Sequence, residues 1–349
     1  MTLRRRVLPG TPALAGVLAL GMAALTAAAC AAQAPAVVQT PADYAGAPPG
    51  CAASAADRRV SAAAALASAL ALARPGETIV LAAGIYRGDF TVIASGRPAA
   101  PITLCGPRNA VLEGPSVQRG YVLHLDGASW WRVLGFTVDG GQKGIVTDRA
   151  SHDLLSGLYV HSTGDEAIHL RSFSSDDTIT HTVIRDTGLL DQFYGEGIYV
   201  GSAYQDWCAY TGCGPDASDD DQIIGNDISG TTAENIDVKE GTTGGLIAGN
   251  DFAGAGMVVS AATAWVNVKG NDWTIEDNTG TGSIGDGFRD VQVYPGWGIG
   301  NVFTGNDARV DGPGYGFYVQ SSHLGVSVAC DNLVSGAARG LSDIPCSSS

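Results

Sequence analysis

A five-residue pattern returns six times along the middle of this chain, and it restricts the possible folds more than any other feature. It reads VLHLD at Val122, GIVTD at Gly144, AIHLR at Ala167, GIYVG at Gly197, NIDVK at Asn235 and WVNVK at Trp265. Outward and apolar positions alternate in each, as in a strand with one buried face. The steps are 22, 23, 30, 38 and 30 residues, and the longest contains an inserted loop, CAYTGCGPDASDDDQ, from Cys208 to Gln222. A second series marks another corner with Asn226, Asn250, Asn278, Asn306 and Asn332, at steps of 24, 28, 28 and 26 residues. Repeats of about two dozen residues with an asparagine at a fixed phase describe stacked coils. One asparagine per bend can hydrogen-bond the backbone and the asparagine of the next coil, satisfying groups that a bend leaves free. The expected fold is all-β, a single-stranded right-handed parallel β-helix. The 48 glycines fit several bends per coil. A β-propeller or a sandwich does not fit a persistent period of one strand.

The Ala-rich run Ser61–Ala73 is a strong helix former, ended by Pro75-Gly76. It is expected to cap the open edge of the first coil. Residues 1–34, with three arginines, an apolar stretch and a small-residue end, read as a secretory signal, and 35–56 as an Ala/Pro/Gly-rich linker before a β-helix domain over 57–349. Cys30, in LTAAAC, is either a lipid-attachment residue anchoring the protein at the cell surface or is discarded with the signal. No other apolar run is long enough to span a membrane. Taking the three leader arginines from 20 basic residues leaves 17 against 35 acidic ones, a net charge of −18. That disfavours nucleic acid and anionic lipid, and an acidic polymer is repelled too unless a metal ion bridges it to the protein. Without Cys30 six cysteines remain, an even number in a secreted chain, and their order suggests the local pairs Cys51–Cys105, Cys208–Cys213 and Cys330–Cys346. A monomer is expected.

GETIVLAAGIYRGDFTV followed by SGRPAAPITLCGPRNAVLEG resembles the first coils of the pectate-lyase-like β-helix superfamily, and the pattern continues from about Ala52 to Cys346. The fold hosts lyases, hydrolases, epimerases and adhesins, so chemistry has to be sought in particular residues. Stacking the five-residue pattern puts His124, Val146, His169, Tyr199, Asp237 and Asn267 in one outward column. Asp126, Asp148, Arg171, Gly201, Lys239 and Lys269 form the next. Asp165-Glu166, Glu196 and Glu234 stand just before these strands. They are either turn carboxylates bonding backbone N–H groups or ligands of a cation, for which Ca²⁺ suits an oxygen donor set in a secreted protein. The acidic loop Asp216–Gln222 lacks a complete calcium-loop pattern.

TGDEAIHLR is similar to the acidic-pair strand of family 9 pectate lyases, which implies calcium held at Asp165, Glu166 and their neighbours; that family's catalytic lysine falls here on Tyr199. ENIDVKEGTTGG resembles the lysine strand of the chondroitinase B and alginate lyase family, with Lys239 in the lysine's place. That family's partner arginine has no counterpart one coil on, so Arg171 or Lys269 would stand in. Both resemblances imply β-elimination from a uronate-containing acidic polysaccharide. Such a reaction needs a base for the C5 proton and a positive group for the carboxylate and developing enolate. Lys239 is the expected base, with His169, Tyr199, Arg171 and Lys269 around it and calcium at Asp165, Glu166, Glu196, Glu234 and Asp237. Lys269 would lower the pKa of Lys239, and Asp237 and Glu240 would raise it. Two alternatives stay open: an inverting glycoside hydrolase using carboxylates such as Glu166 and Asp237, and a non-catalytic carbohydrate-binding surface protein using Tyr204, Trp207, Tyr210 and the VYPGWGIG loop.

Overall fold

A computed structural model of the protein describes Cys51 and residues 57–348. The expected signal over 1–34, Cys30 and the linker apart from Cys51 lie outside the described residues. Thirty short strands form three parallel sheets of eleven, nine and ten strands, and successive coils add one strand to each sheet. This is the right-handed parallel β-helix with its N-terminal cap. The helix Ala63–Ala71 buries Leu66, Ala69 and Leu70 against the first coil. The five-residue repeat accounts for only the nine-stranded sheet, and the asparagine series marks the corner that follows strands of the eleven-stranded one.

The apolar positions of all three sheets point inward and merge into one continuous core, from Leu66 and Ile79 at the capped end to Phe288, Phe303 and Phe317 near the other. Phe288 and Phe317 stack at 5.1 Å between centroids, one coil above the other.

The asparagine series is a ladder. Asn226 Nδ2 donates to Asn250 Oδ1 at 2.9 Å, Asn250 to Asn278 at 2.9 Å, Asn278 to Asn306 at 2.9 Å and Asn306 to Asn332 at 3.0 Å. Each Oδ1 also accepts the backbone N–H of the preceding asparagine, and each Nδ2 reaches a backbone carbonyl. Replacing Asn250 by alanine strands the Asn226 N–H and the Ile223 carbonyl in the core. At about 1–3 kcal/mol for each stranded group, Asn250→Ala is expected to lower the urea midpoint of unfolding by an amount worth roughly 2–6 kcal/mol. An unchanged midpoint would show that the ladder is ornamental.

At another corner the rungs are acids. Asp153 Oδ1 accepts Trp131 N–H, Asp177 Oδ1 accepts Asp153 N–H, and Asp221 Oδ1 accepts Asp177 N–H, while the second oxygen of each is buried without a partner. Burial, and for Asp177 and Asp221 the neighbouring acids as well, pushes these carboxyls up, Asp153 to about 8.

All three expected disulfides are present: Cys51–Cys105, Cys208–Cys213 and Cys330–Cys346. Asp216, in the acidic loop, caps four groups of its surroundings: the N–H groups of Ser172 and Phe173 and the hydroxyls of Ser202 and Ser218. That loop is therefore tied down by its own hydrogen bonds. No helix among the described residues is long and apolar enough to cross a membrane.

Candidate active site

The outward face of the nine-stranded sheet carries the chemistry. Its register stacks Val146, His169, Tyr199, Asp237, Asn267, Arg289 and Tyr318 in one column. At the start of the same strands Lys143, Glu166, Glu196 and Glu234 follow one another at the same phase. Long loops leave the sheet on both sides, and a cavity of about 270 Å³ lies between them. It is lined by Lys143, Glu166, His169 and Tyr199 from the sheet, by Tyr194 from one loop and by Ser202 and Tyr210 from the other.

All three lysines of the chain, Lys143, Lys239 and Lys269, belong to this face. Lys143 Nζ bonds Glu166 Oε1 at 2.6 Å and His169 Nδ1 at 3.2 Å. His169 Nε2 lies 2.9 Å from the Gly201 carbonyl, which fixes the tautomer: Nε2–H donates to the carbonyl and Nδ1 accepts from the ammonium. Burial, Lys143 and Arg171 hold His169 well below the ordinary imidazole range, so the ring is neutral. Lys239 Nζ lies 2.7 Å from Asp237 Oδ2 and 4.7 Å from the centre of the Tyr199 ring. Lys269 bonds the other oxygen of Asp237. Burial alone would raise Asp237, but the two ammonium groups overcome it and hold the carboxyl below its usual range.

The contest over Lys239 is thereby decided. Burial would depress it, yet Asp237, Tyr199 and Glu196 outweigh burial and raise it well above the ordinary lysine value. The lysine that is lowered is Lys269, by burial and by Lys239, against the pull of Asp237. Glu240 turns away from the lysines: its Oε1 accepts the Tyr204 N–H at 2.7 Å and secures the inserted loop. Tyr199 is raised well above its usual range, first by burial, and is a neutral phenol. Lys239 is also not the exposed side chain its outward position implies; its side chain is 15% accessible and its partner Asp237 2%.

Arg171 lies deeper in the wall. Nε and Nη2 bond both oxygens of Asp148 at 2.9 and 3.1 Å, Nη2 also reaches the Tyr121 hydroxyl at 3.1 Å, and the guanidinium lies 4.4 Å from the Tyr210 ring centre. Tyr210 stands inside the Cys208–Cys213 ring, so Arg171 holds that loop against the sheet. Lys143, Gln142, Tyr121 and Tyr194 also line the cavity, and the sequence pattern did not single them out. The signal for Lys143 was its phase: it stands directly before GIVTD as Glu196 stands directly before GIYVG.

Of the five expected metal ligands, Glu196, Glu234 and Asp237 converge, with one oxygen of each lying within 4.8 Å of the others. Asp165 and Glu166 are outside that group. Asp165 accepts from Gln142 at 2.8 Å and is pushed up to about 6, first by burial and then by Glu166. Calcium takes roughly six to eight oxygens. Here Asp237 has both oxygens on ammonium groups, Glu166 has one on Lys143, and Glu234 Oε1 accepts from Thr263 and Asn267. Several oxygens of this acidic cluster are therefore already engaged by protein donors. Burial and Glu166 raise Glu196 well above the carboxylate range. Burial and then Asp237 raise Glu234 as well.

The fold and site thus combine a parallel β-helix with a polar cavity on one sheet, beside buried cation–carboxylate pairs and a tyrosine. No family model and no curated protein sequence matches the chain. Among solved structures, an alginate lyase from Paenibacillus sp. str. FPU-7 is 36% identical with a TM-score of 0.75, covering 82% of this chain and 97% of its own. The pectate lyase Pel9A, 14% identical with a TM-score of 0.53 over 80% of this chain and 72% of its own, shares the fold. So does PfbA, a surface adhesin of Streptococcus pneumoniae, 12% identical with a TM-score of 0.55 over 78% and 73%. The chain belongs to the pectate-lyase-like parallel β-helix family of polysaccharide lyases.

Proposed function

We propose that the protein is a secreted lyase that cleaves a uronate-containing polysaccharide by β-elimination, with Lys239 and Tyr199 handling the protons. The observation that carries this reading is the contact of Lys239 with Asp237 and the Tyr199 ring, beside a cavity with Lys143 at its edge, in a chain otherwise strongly acidic. Lys239, once deprotonated, takes the C5 proton of the uronate. The electron pair moves toward the carboxylate as an enolate, the C4–O4 bond breaks, and the Tyr199 phenol protonates the departing oxygen. Lys143 stands where it can offset the negative charge of the carboxylate. A raised pKa reduces the fraction of Lys239 available as base but makes the free amine a stronger one, which a weakly acidic carbon proton requires. Ammonium groups rather than calcium neutralise the site in this reading. Arg171 and His169 position the walls, and Lys269 holds Asp237.

Residues 57–349 act as one catalytic domain, and three disulfides fit an oxidising compartment, in line with the signal read in residues 1–34. Cys30 remains a candidate anchor. A glycoside hydrolase would need two free carboxyl groups, and Glu166 and Asp237 are both engaged by lysines. Alginate is the first substrate to test, because the similar Paenibacillus enzyme is an alginate lyase. The expected result is a product absorbing near 235 nm from alginate or another polyuronate, made at the same rate with and without a chelator. Reducing ends without that absorbance would establish a hydrolase, no product a binding protein, and loss of rate on chelation a calcium site.

A further inference from the structure

The catalytic face does not stop at the lysines. Three coils beyond Tyr199 in the same column stands Arg289, and Tyr318 follows it. The Arg289 guanidinium lies 4.7 Å from the centre of the Tyr318 ring. On the final coil Arg339 lies 5.0 Å from the Tyr315 ring, and the two tyrosines are 6.5 Å apart. The result is a pair of arginines stacked on a pair of tyrosines at the far end of the trough. Its charge is less committed than that of the other cations on this face. Lys143, Lys239 and Arg171 meet carboxylates at 2.6, 2.7 and 2.9 Å, whereas Arg289 has Asp286 at 3.7 Å and a buried Nε with no hydrogen-bond partner. Asp286 accepts the Tyr315 N–H on Oδ1 at 2.7 Å and faces Arg289 with Oδ2.

One wall of the trough joins the two places. The loop carrying Tyr294 reaches back to meet the inserted loop, with Tyr294 at 5.1 Å from Tyr204 and 5.2 Å from Trp207. A polymer lying along the solenoid axis is thus flanked on that side from Tyr199 to Arg289. Coils rise about 4.8 Å each, so the separation is about 14 Å. An extended 1,4-linked uronate chain advances by a similar amount per sugar, which puts a carboxylate within reach of the arginines.

We propose that Arg289 and Arg339, each backed by a tyrosine, form a distal subsite that takes a uronate carboxylate of the bound chain about three sugars from the Tyr199–Lys239 pair. The subsite rests on the reading of the protein as a uronate lyase. A planar guanidinium held flat on a ring presents its N–H edge to a carboxylate, and the ring adds a face for the sugar. In so acidic a chain it also supplies positive charge away from the catalytic lysines.

The test compares wild type with Arg289→Gln, Arg339→Gln and the double variant on oligouronates from three to eight sugars. The expected result is a roughly 10-fold loss of kcat/KM for the double variant on long substrates, falling to none on the trisaccharide, and a changed pattern of product lengths. Arg289→Lys should recover part of the loss. A loss equal at every length, or no loss in a wild type that does cleave uronates, overturns the subsite while leaving the lyase reading in place. A wild type that cleaves no uronate removes both.

Discussion

Tyr199→Phe is expected to lower kcat roughly 10²–10⁴-fold, the usual contribution of a positioned proton donor or acceptor, while the unfolding midpoint stays within about 1 kcal/mol of wild type. The ring keeps its edge-on contact with His169 at 4.5 Å and its place over Lys239, and only the hydroxyl goes. Lys239→Ala is expected to be as inactive but less stable. It leaves Asp237 buried with Lys269 as its one remaining cation, and breaking a buried pair costs about 3–5 kcal/mol. An outward position at the end of a strand implies the opposite, an exposed lysine that the fold does not need; the loops over the trough are what buried it. Both variants should therefore be assayed well below their melting temperatures. Full activity in Lys239→Ala with loss in Tyr199→Phe would assign the base to Tyr199. Full activity in both would remove the pair from the mechanism.

The second large effect concerns pH. Lys239 and Tyr199 are both held in their protonated forms, the first chiefly by Asp237 against burial, the second chiefly by burial. Whichever of them acts as base, its reactive form is a minor species at neutral pH. The expected kcat/KM rises about tenfold per pH unit through the neutral range and has no plateau below about pH 9. His169 predicts another curve. Burial, Lys143 and Arg171 depress it, so it is already deprotonated in mildly acidic solution. A rate that levels off below pH 7 would move the base to His169. Stability runs the other way. The Asp153 carboxyl titrates at about 8 in the folded chain, against an ordinary value near 4 when unfolded. Between those values the folded chain binds more protons, so stability falls as pH rises through that window. Asp177 and Asp221 shift in the same direction.

The fold was legible because its period is written in side chains: an asparagine at one corner of successive coils, and alternation in strands whose far face is solvent or substrate. The column His169, Tyr199, Asp237 and Asn267 follows from that register alone. The partners of each side chain were not legible. Whether Lys239 turns to Asp237, and whether Glu240 turns to the lysine or to the Tyr204 N–H, depends on loops whose course no periodicity describes. Arg171 looked like a ligand for substrate because its column is right; only the packing of Tyr121 and Tyr210 shows it clamped. Arg289 escaped notice because GFRDV breaks the alternation seen in the earlier coils: an aspartate, Asp290, takes the second inward position.

The gathering of every lysine onto one sheet face has a practical side. An amine-reactive reagent applied to the folded protein meets no ε-amino group away from the trough, and those inside it are shielded, with side chains 14%, 15% and 9% accessible at Lys143, Lys239 and Lys269. Acylation beyond the α-amino group is thus a direct gauge of whether the trough is open or filled.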